Sequence, residues 1–135
     1  MSQVLVSRFV RNVLLADAGV SAAAGAVMVL GGAALQALLG LPGSLLLPAG
    51  LFLFGYAAAL AWLSRRERLP RAVMWVLVLG NVVWAADCGL IAFGAGFAPT
   101  TWGQALLGVQ IVAVLVFAEL QFVCLRRAGR QPVLA

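Results

Sequence analysis

Four long apolar runs, joined by short links, constrain this chain more than any other feature. They extend from about Val13 to Leu39, Leu45 to Leu63, Ala72 to Phe97 and Trp102 to Leu125. Crossing about 30 Å of hydrocarbon takes roughly 20 helical residues, and each run reaches that length. Lipid offers no partners to a peptide group, so every backbone hydrogen bond must close within its own segment, and runs this long are expected to be helices. Composition agrees. Of 135 residues, 64% are apolar and 10% charged, against about 45–50% and 25% in soluble domains. A soluble globule is excluded, and so is disorder, which needs the opposite balance.

The links carry turn chemistry. Gly40-Leu41-Pro42-Gly43-Ser44 and the segment from Gly94 to Thr100 combine glycine, which permits positive φ, with proline, which fixes φ. Ser64 to Arg71 brings Pro70 to the expected start of the third helix, a favoured first-turn position. Pro48 stands near the start of the second helix, either as a kink or as an ordinary first-turn proline. Links this short make sequential helices antiparallel neighbours. The expected fold is all-α: one domain, residues 1–135, a four-helix transmembrane bundle running up-down-up-down.

Its sidedness follows from the cations. All nine are arginine: Arg8 and Arg11 before the first run, Arg65, Arg66, Arg68 and Arg71 between the second and third, and Arg126, Arg127 and Arg130 after the fourth. The other two links hold none. Four crossings put the three arginine segments on one side, and cationic flanks stay cytoplasmic. Both termini are therefore expected in the cytoplasm, with the chain a multi-pass protein of a bacterial inner membrane. The net charge of +5 would suggest nucleic acid in a soluble protein, but no basic stripe with interleaved aromatics lies outside the spans, so no nucleic-acid partner is expected. Arg8 and Arg11 resemble the start of a signal peptide. The apolar stretch before Ala22-Ala23-Ala24 is short, however, and contains Asp17, so cleavage is not expected.

Ionisable groups within a span cost roughly 2.5–3.5 kcal/mol at the centre of a helix, and are the first candidates for function. Three of the four acids fall in spans: Asp17, Asp87 and Glu119. Asp17 and Glu119 lie at similar depth near the arginine side. If the first and fourth helices are neighbours, the two carboxylates share a layer and hold a proton or a cation; otherwise each snorkels or pairs with an arginine. On the third helix Asn81, Trp84, Asp87 and Cys88 span an arc of roughly 120° that should face inward. Asp87 is the deepest acid. It is expected to be protonated, bonded to a partner such as Tyr56 or Gln110, or open to a water-filled cavity. Gln104, Gln110 and Gln121 read as glue between helices, worth about 0.6 kcal/mol each on average. Asp17, Ser21, Gly25, Gly32 and Gln36 form a stripe that reads as a packing seam, since small residues let helices approach closely in lipid.

With no histidine, the chain lacks a His-ligated haem, a histidine metal site and a Ser-His-Asp triad. No glycine-rich phosphate loop follows a strand. Cys88 and Cys124 lie at depths on the order of 20 Å apart along the helix axes, beyond the roughly 7 Å that a disulfide allows. No cofactor, metal or catalytic residue is expected, and no enzymatic activity.

Leu14-Leu15-Ala16-Asp17-Ala18, Leu47-Pro48-Ala49-Gly50, Asn81-x-x-Trp84-x-x-Asp87, Ala98-Pro99-Thr100-x-x-Gly103 and Ala118-Glu119-Leu120-Gln121 together resemble small four-helix integral membrane proteins of proteobacteria that carry no assigned activity. In broader shape the chain is similar to the DoxX-like group. The likeness covers nearly the whole chain and implies an inner-membrane bundle; it brings no substrate and no site residues. The functional expectation is a non-enzymatic membrane protein: an accessory or assembly factor, or a bundle that binds lipid, a membrane-protein partner or a second copy of itself. The alternative is a small proton- or cation-linked transporter or channel working as a homo-oligomer. In that case Asp87 and Asn81 would sit midway along its path, and Asp17 and Glu119 at the cytoplasmic exit.

Overall fold

The computed structural model describes residues 3–94 and 96–130. In chain order the elements are β1 (Gln3–Leu5), α1 (Arg8–Leu30), α2 (Gly32–Leu39), α3 (Gly43–Ser64), β2 (Arg68–Pro70), α4 (Arg71–Ala92) and α5 (Thr101–Arg130). Four of the helices, α1, α3, α4 and α5, are long and apolar enough to cross a membrane. The fold is an all-α four-helix bundle.

The first apolar run divides. It is not one helix over 13–39: α1 starts earlier, at Arg8, and stops at Leu30. The start is set by Ser7, whose Oγ accepts the Val10 amide at 3.4 Å. A serine in that place satisfies one of the otherwise unbonded first-turn amides. The stop is set by adjacent glycines, with Gly32 at φ +57°, a left-handed conformation that costs glycine little. The 23 residues of α1 already cover about 34 Å at 1.5 Å per residue, so the crossing is complete before the break. The short α2 then packs against α3 and α5 at the arginine-free end. It ends at Gly40 (φ +67°), where a Cβ would meet the backbone of Ala98 and Thr100.

The third run is also shorter than 72–97. α4 ends at Ala92, and Gly94 and Gly96 follow at φ +102° and +84°. The fourth is longer than 102–125 and stays helical to Arg130. Pro48 lies inside α3, and Pro70 precedes the first turn of α4 rather than entering it.

Two hairpins build the bundle, α1 with α3 and α4 with α5. In the first, Gly25 and Gly50 let the backbones close: a Cβ on Gly25 would stand 2.8 Å from the Gly50 carbonyl oxygen, and one on Gly50 2.9 Å from that of Gly25. Small residues at a crossing are how helices gain van der Waals contact in lipid. Gly25 belongs to the stripe read from the sequence as a seam.

The ends of the bundle are tied differently. At the arginine end β1 and β2 pair antiparallel, Gln3 with Pro70, Val4 with Leu69 and Leu5 with Arg68. Val4 and Leu69 are buried there. Arginines close the same end: Arg11 Nε donates to the Ser64 carbonyl at 2.8 Å and Arg71 Nη1 to that of Leu125 at 3.2 Å. The Arg127 guanidinium lies 4.6 Å from the Phe9 ring and that of Arg66 4.3 Å from Trp62. At the opposite end the Thr100 amide donates to the Leu39 carbonyl at 3.0 Å, joining the two arginine-free links. All three arginine segments thus share one end. Between the ends, leucine, valine and phenylalanine side chains face outward in large numbers, Val76, Leu79, Leu90 and Val109 among them, as suits helices bathed in lipid.

Candidate functional site

All four long helices contribute to a polar cluster centred on Asp17: Asp17 and Ser21 from α1, Tyr56 from α3, Asn81 from α4 and Gln121 from α5. The cluster members start about 12–15 Å from the arginine ends of α1, α3 and α4, counting 1.5 Å per residue from Arg8, Ser64 and Arg71. Asp17 and Gln121 are almost fully enclosed, at 1% and 0% exposure, and Asn81 is buried. Tyr56 Oη donates to Asp17 Oδ2 at 3.1 Å, Asn81 Nδ2 at 3.4 Å and Gln121 Nε2 at 2.7 Å. Ser21 Oγ, one turn along α1, donates to Oδ1 at 3.3 Å. Asn81 Nδ2 also reaches Gln121 Oε1 at 3.0 Å, so α4 and α5 are bonded to each other as well as to α1.

Every partner of the Asp17 carboxylate is a neutral donor. Four donors supply what an acceptor-only group of two oxygens requires. No buried side-chain nitrogen or oxygen among the described residues is left without a partner. This matters because an unsatisfied buried polar group costs about 1–3 kcal/mol. Chemically the Asp17 carboxylate is closed off: all its donors come from within the bundle.

A second polar contact lies nearer the arginine-free end. Trp84 Nε1 donates to Gln110 Oε1 at 2.9 Å. Phe52 stacks on both Trp84 (5.9 Å between centroids, 11° between planes) and Tyr56 (6.4 Å, 10°), so an aromatic ladder on α3 and α4 links the two polar contacts. Beside Trp84 and Gln110 is a cavity of about 320 Å³ lined mainly by apolar side chains, including Met28, Leu46, Ala49, Ile91 and Leu106, together with Asp87 and Cys88. Asp87 and Leu90 on its rim are exposed, so it opens on the outer surface of the bundle.

The structure sorts the residues picked from the sequence into three groups. Asp17, Tyr56 and Asn81 meet in the closed cluster; Trp84, Gln110 and Asp87 meet at the cavity; Glu119 meets neither and is exposed on α5. The shared layer of Asp17 and Glu119 does not form. Gln121, two residues further on, faces Asp17 instead, because two residues turn a helix by about 200° and present opposite faces. Asp87 is not on the inward face with Asn81 and Cys88; it is at the exposed edge of that arc, and it is not the deepest acid, standing five residues from the end of α4 where Asp17 stands nine from the start of α1. The two partners considered for it are engaged elsewhere, Tyr56 with Asp17 and Gln110 with Trp84. Gln121 is glue between helices, as its sequence suggests, but the carboxylate it bonds is Asp17. Its signal was its depth, similar to that of Asp17, together with the seven-residue spacing that puts Glu119 on the same face as Arg126. Cys88 and Cys124 are both buried free thiols.

Comparison with protein families, with characterised proteins and with solved structures finds no match to this chain.

Proposed function

We propose that this multi-pass membrane protein is a non-enzymatic binding bundle of a bacterial inner membrane, with both termini cytoplasmic, that holds a lipid-like molecule in the cavity beside Trp84. The cavity carries this reading. Its volume of about 320 Å³ is at the lower end of the roughly 300–1,000 Å³ typical of small-molecule sites, and it shares their character, an apolar wall with a few polar groups. Its mouth lies among exposed apolar residues, where an apolar ligand enters from the bilayer without crossing water. The closed Asp17 cluster serves in this reading as the fixed part of the scaffold. Kinship with the small DoxX-like membrane proteins belongs to the same proposal and rests on the sequence motifs.

Native mass spectrometry of the protein extracted gently from its host membrane tests it. A bound lipid-sized species is expected, and should be lost when the cavity is filled by Ala49→Trp. Retention of that species in Ala49→Trp would place it elsewhere, and a foreign protein subunit in its place would favour the accessory-factor reading.

A second reading, a small proton- or cation-linked transporter acting as a homo-oligomer, is favoured by one observation: Asp87 is an exposed acid in the wall of a cavity within a spanning helix. It predicts flux in proteoliposomes that Asp87→Asn abolishes. Flux equal to wild type in that variant would end it.

A further inference from the structure

We propose that the molecule held beside Trp84 carries a positive charge on an apolar body, a quaternary or protonated amine of an amphiphile, with Asp87 as its counter-ion. The proposal rests on the binding reading above and names the ligand class.

The distribution of charge points this way. Asp87 stands five residues before the end of α4 at Ala92, so the carboxylate lies within the span, about 7.5 Å from the arginine-free end. All nine arginines are in the three segments at the other end. The nearest on its own helix, Arg71, is 16 residues away, or about 24 Å along the axis. None of these arginines lies at the end of the bundle where Asp87 stands, and a carboxylate in a spanning segment is costly without a counter-charge or a proton. Asp17, by contrast, is satisfied from within by four donors. Of the three acids on the spanning helices, Asp17, Asp87 and Glu119, it is Asp87 that lines this cavity.

The rest of the wall suits the same ligand. Met28, Leu46, Ile91 and Leu106 offer apolar surface to a hydrocarbon body. The Trp84 indole borders the same cavity, and tryptophan is the strongest of the aromatic partners for an onium head. Gln110 spends its carbonyl on the indole N–H, which fixes the ring.

The test separates charge from shape. Benzyltrimethylammonium and neopentylbenzene differ only in the central atom of the head group, nitrogen against carbon. Binding of each is read from the fluorescence of a nanodisc-embedded variant that keeps Trp84 as its sole tryptophan. The cation is expected to bind at least tenfold more tightly than its neutral isostere. Asp87→Asn should remove that preference and leave the isostere's affinity unchanged, which also reports that the cavity is intact; Asp87→Glu should restore it. Equal affinity of the two probes overturns the charge proposal and leaves the apolar cavity standing. Binding of neither probe, with the lipid-sized species retained by Ala49→Trp in native mass spectrometry, overturns the cavity reading and this proposal with it. A preference that survives Asp87→Asn assigns the counter-charge elsewhere and also overturns it.

Discussion

Gln121 donates its Nε2 to Asp17 Oδ2 at 2.7 Å across 104 residues of sequence, the shortest of the bonds that close the polar cluster. It joins the last helix to the first, and with Asn81 and Tyr56 it makes one carboxylate the common acceptor of all four long helices. In a bundle surrounded by lipid, where apolar burial between helices contributes little, such bonds and close packing hold the helices together.

Removing that donor should therefore be felt throughout the bundle. Gln121→Leu is expected to destabilise by about 1–3 kcal/mol, the cost of leaving a buried polar group short of a partner. Glu119→Gln, two residues away but exposed, should stay within about ±0.5 kcal/mol of wild type. Denaturant titration in mixed micelles measures both. Equal stability of the two variants would show that the cluster does not bear on folding.

The crossing of α1 and α3 makes a separate prediction. Gly25→Ala puts a Cβ 2.8 Å from the Gly50 carbonyl oxygen, and overpacking of this kind costs about 1–3 kcal/mol. Gly19→Ala, also on α1, meets nothing within 4 Å and should be neutral or slightly stabilising, since alanine is the better helix former by up to about 1 kcal/mol. The pair is compared by the same titration. A Gly25→Ala protein as stable as Gly19→Ala would mean that the helices do not cross at Gly25 and Gly50.

At the arginine end, Val6 N–H donates to the Glu67 carbonyl at 2.9 Å, beside the buried pair Val4 and Leu69. Leu69→Ala is expected to speed hydrogen exchange at the Val6 amide while leaving the amides in the middle of α4 as protected as before. Truncating a buried leucine typically costs about 2–5 kcal/mol, and here the loss should fall on the small sheet. Unchanged exchange at Val6 would mean that the two strands are not held by that contact.

Sidedness is open to labelling. In a protein with Cys88 and Cys124 replaced by alanine, Arg66→Cys and Arg130→Cys should react with an impermeant thiol reagent from one face of sealed vesicles. Ser44→Cys and Thr101→Cys should react from the other. Reaction of Arg66→Cys and Arg130→Cys from opposite faces would break the even count of crossings.

Much of the architecture was legible because it depends on quantities that are local in sequence. Run length and apolar content set the number of spanning helices at four, and the three arginine clusters predicted the end that they share. Breaks within a run were less legible. Gly31-Gly32 stops α1, yet a glycine inside a spanning helix is tolerated where a neighbouring helix packs on it, as at Gly25 on α1 and Gly50 on α3. The pairing of Gln3–Leu5 with Arg68–Pro70 left no trace that a pattern could show. Three residues are too few for alternation to stand out, and the partner is more than sixty residues away.

The candidate site divides along the same line. From the sequence alone came the identity of the polar residues, their approximate depth and the helix that carries each, since a rise of 1.5 Å per residue converts position into depth. What only the tertiary structure decided was the rotation of each helix about its own axis. A few tens of degrees separate an inward Asp87 from one at the rim of a cavity, and two residues separate Gln121 from Glu119. Periodicity leaves that angle free when most of a helix surface is apolar, because lipid and protein interior are alike in polarity. It is set when four helices pack together and one carboxylate, Asp17, must find all its donors at once.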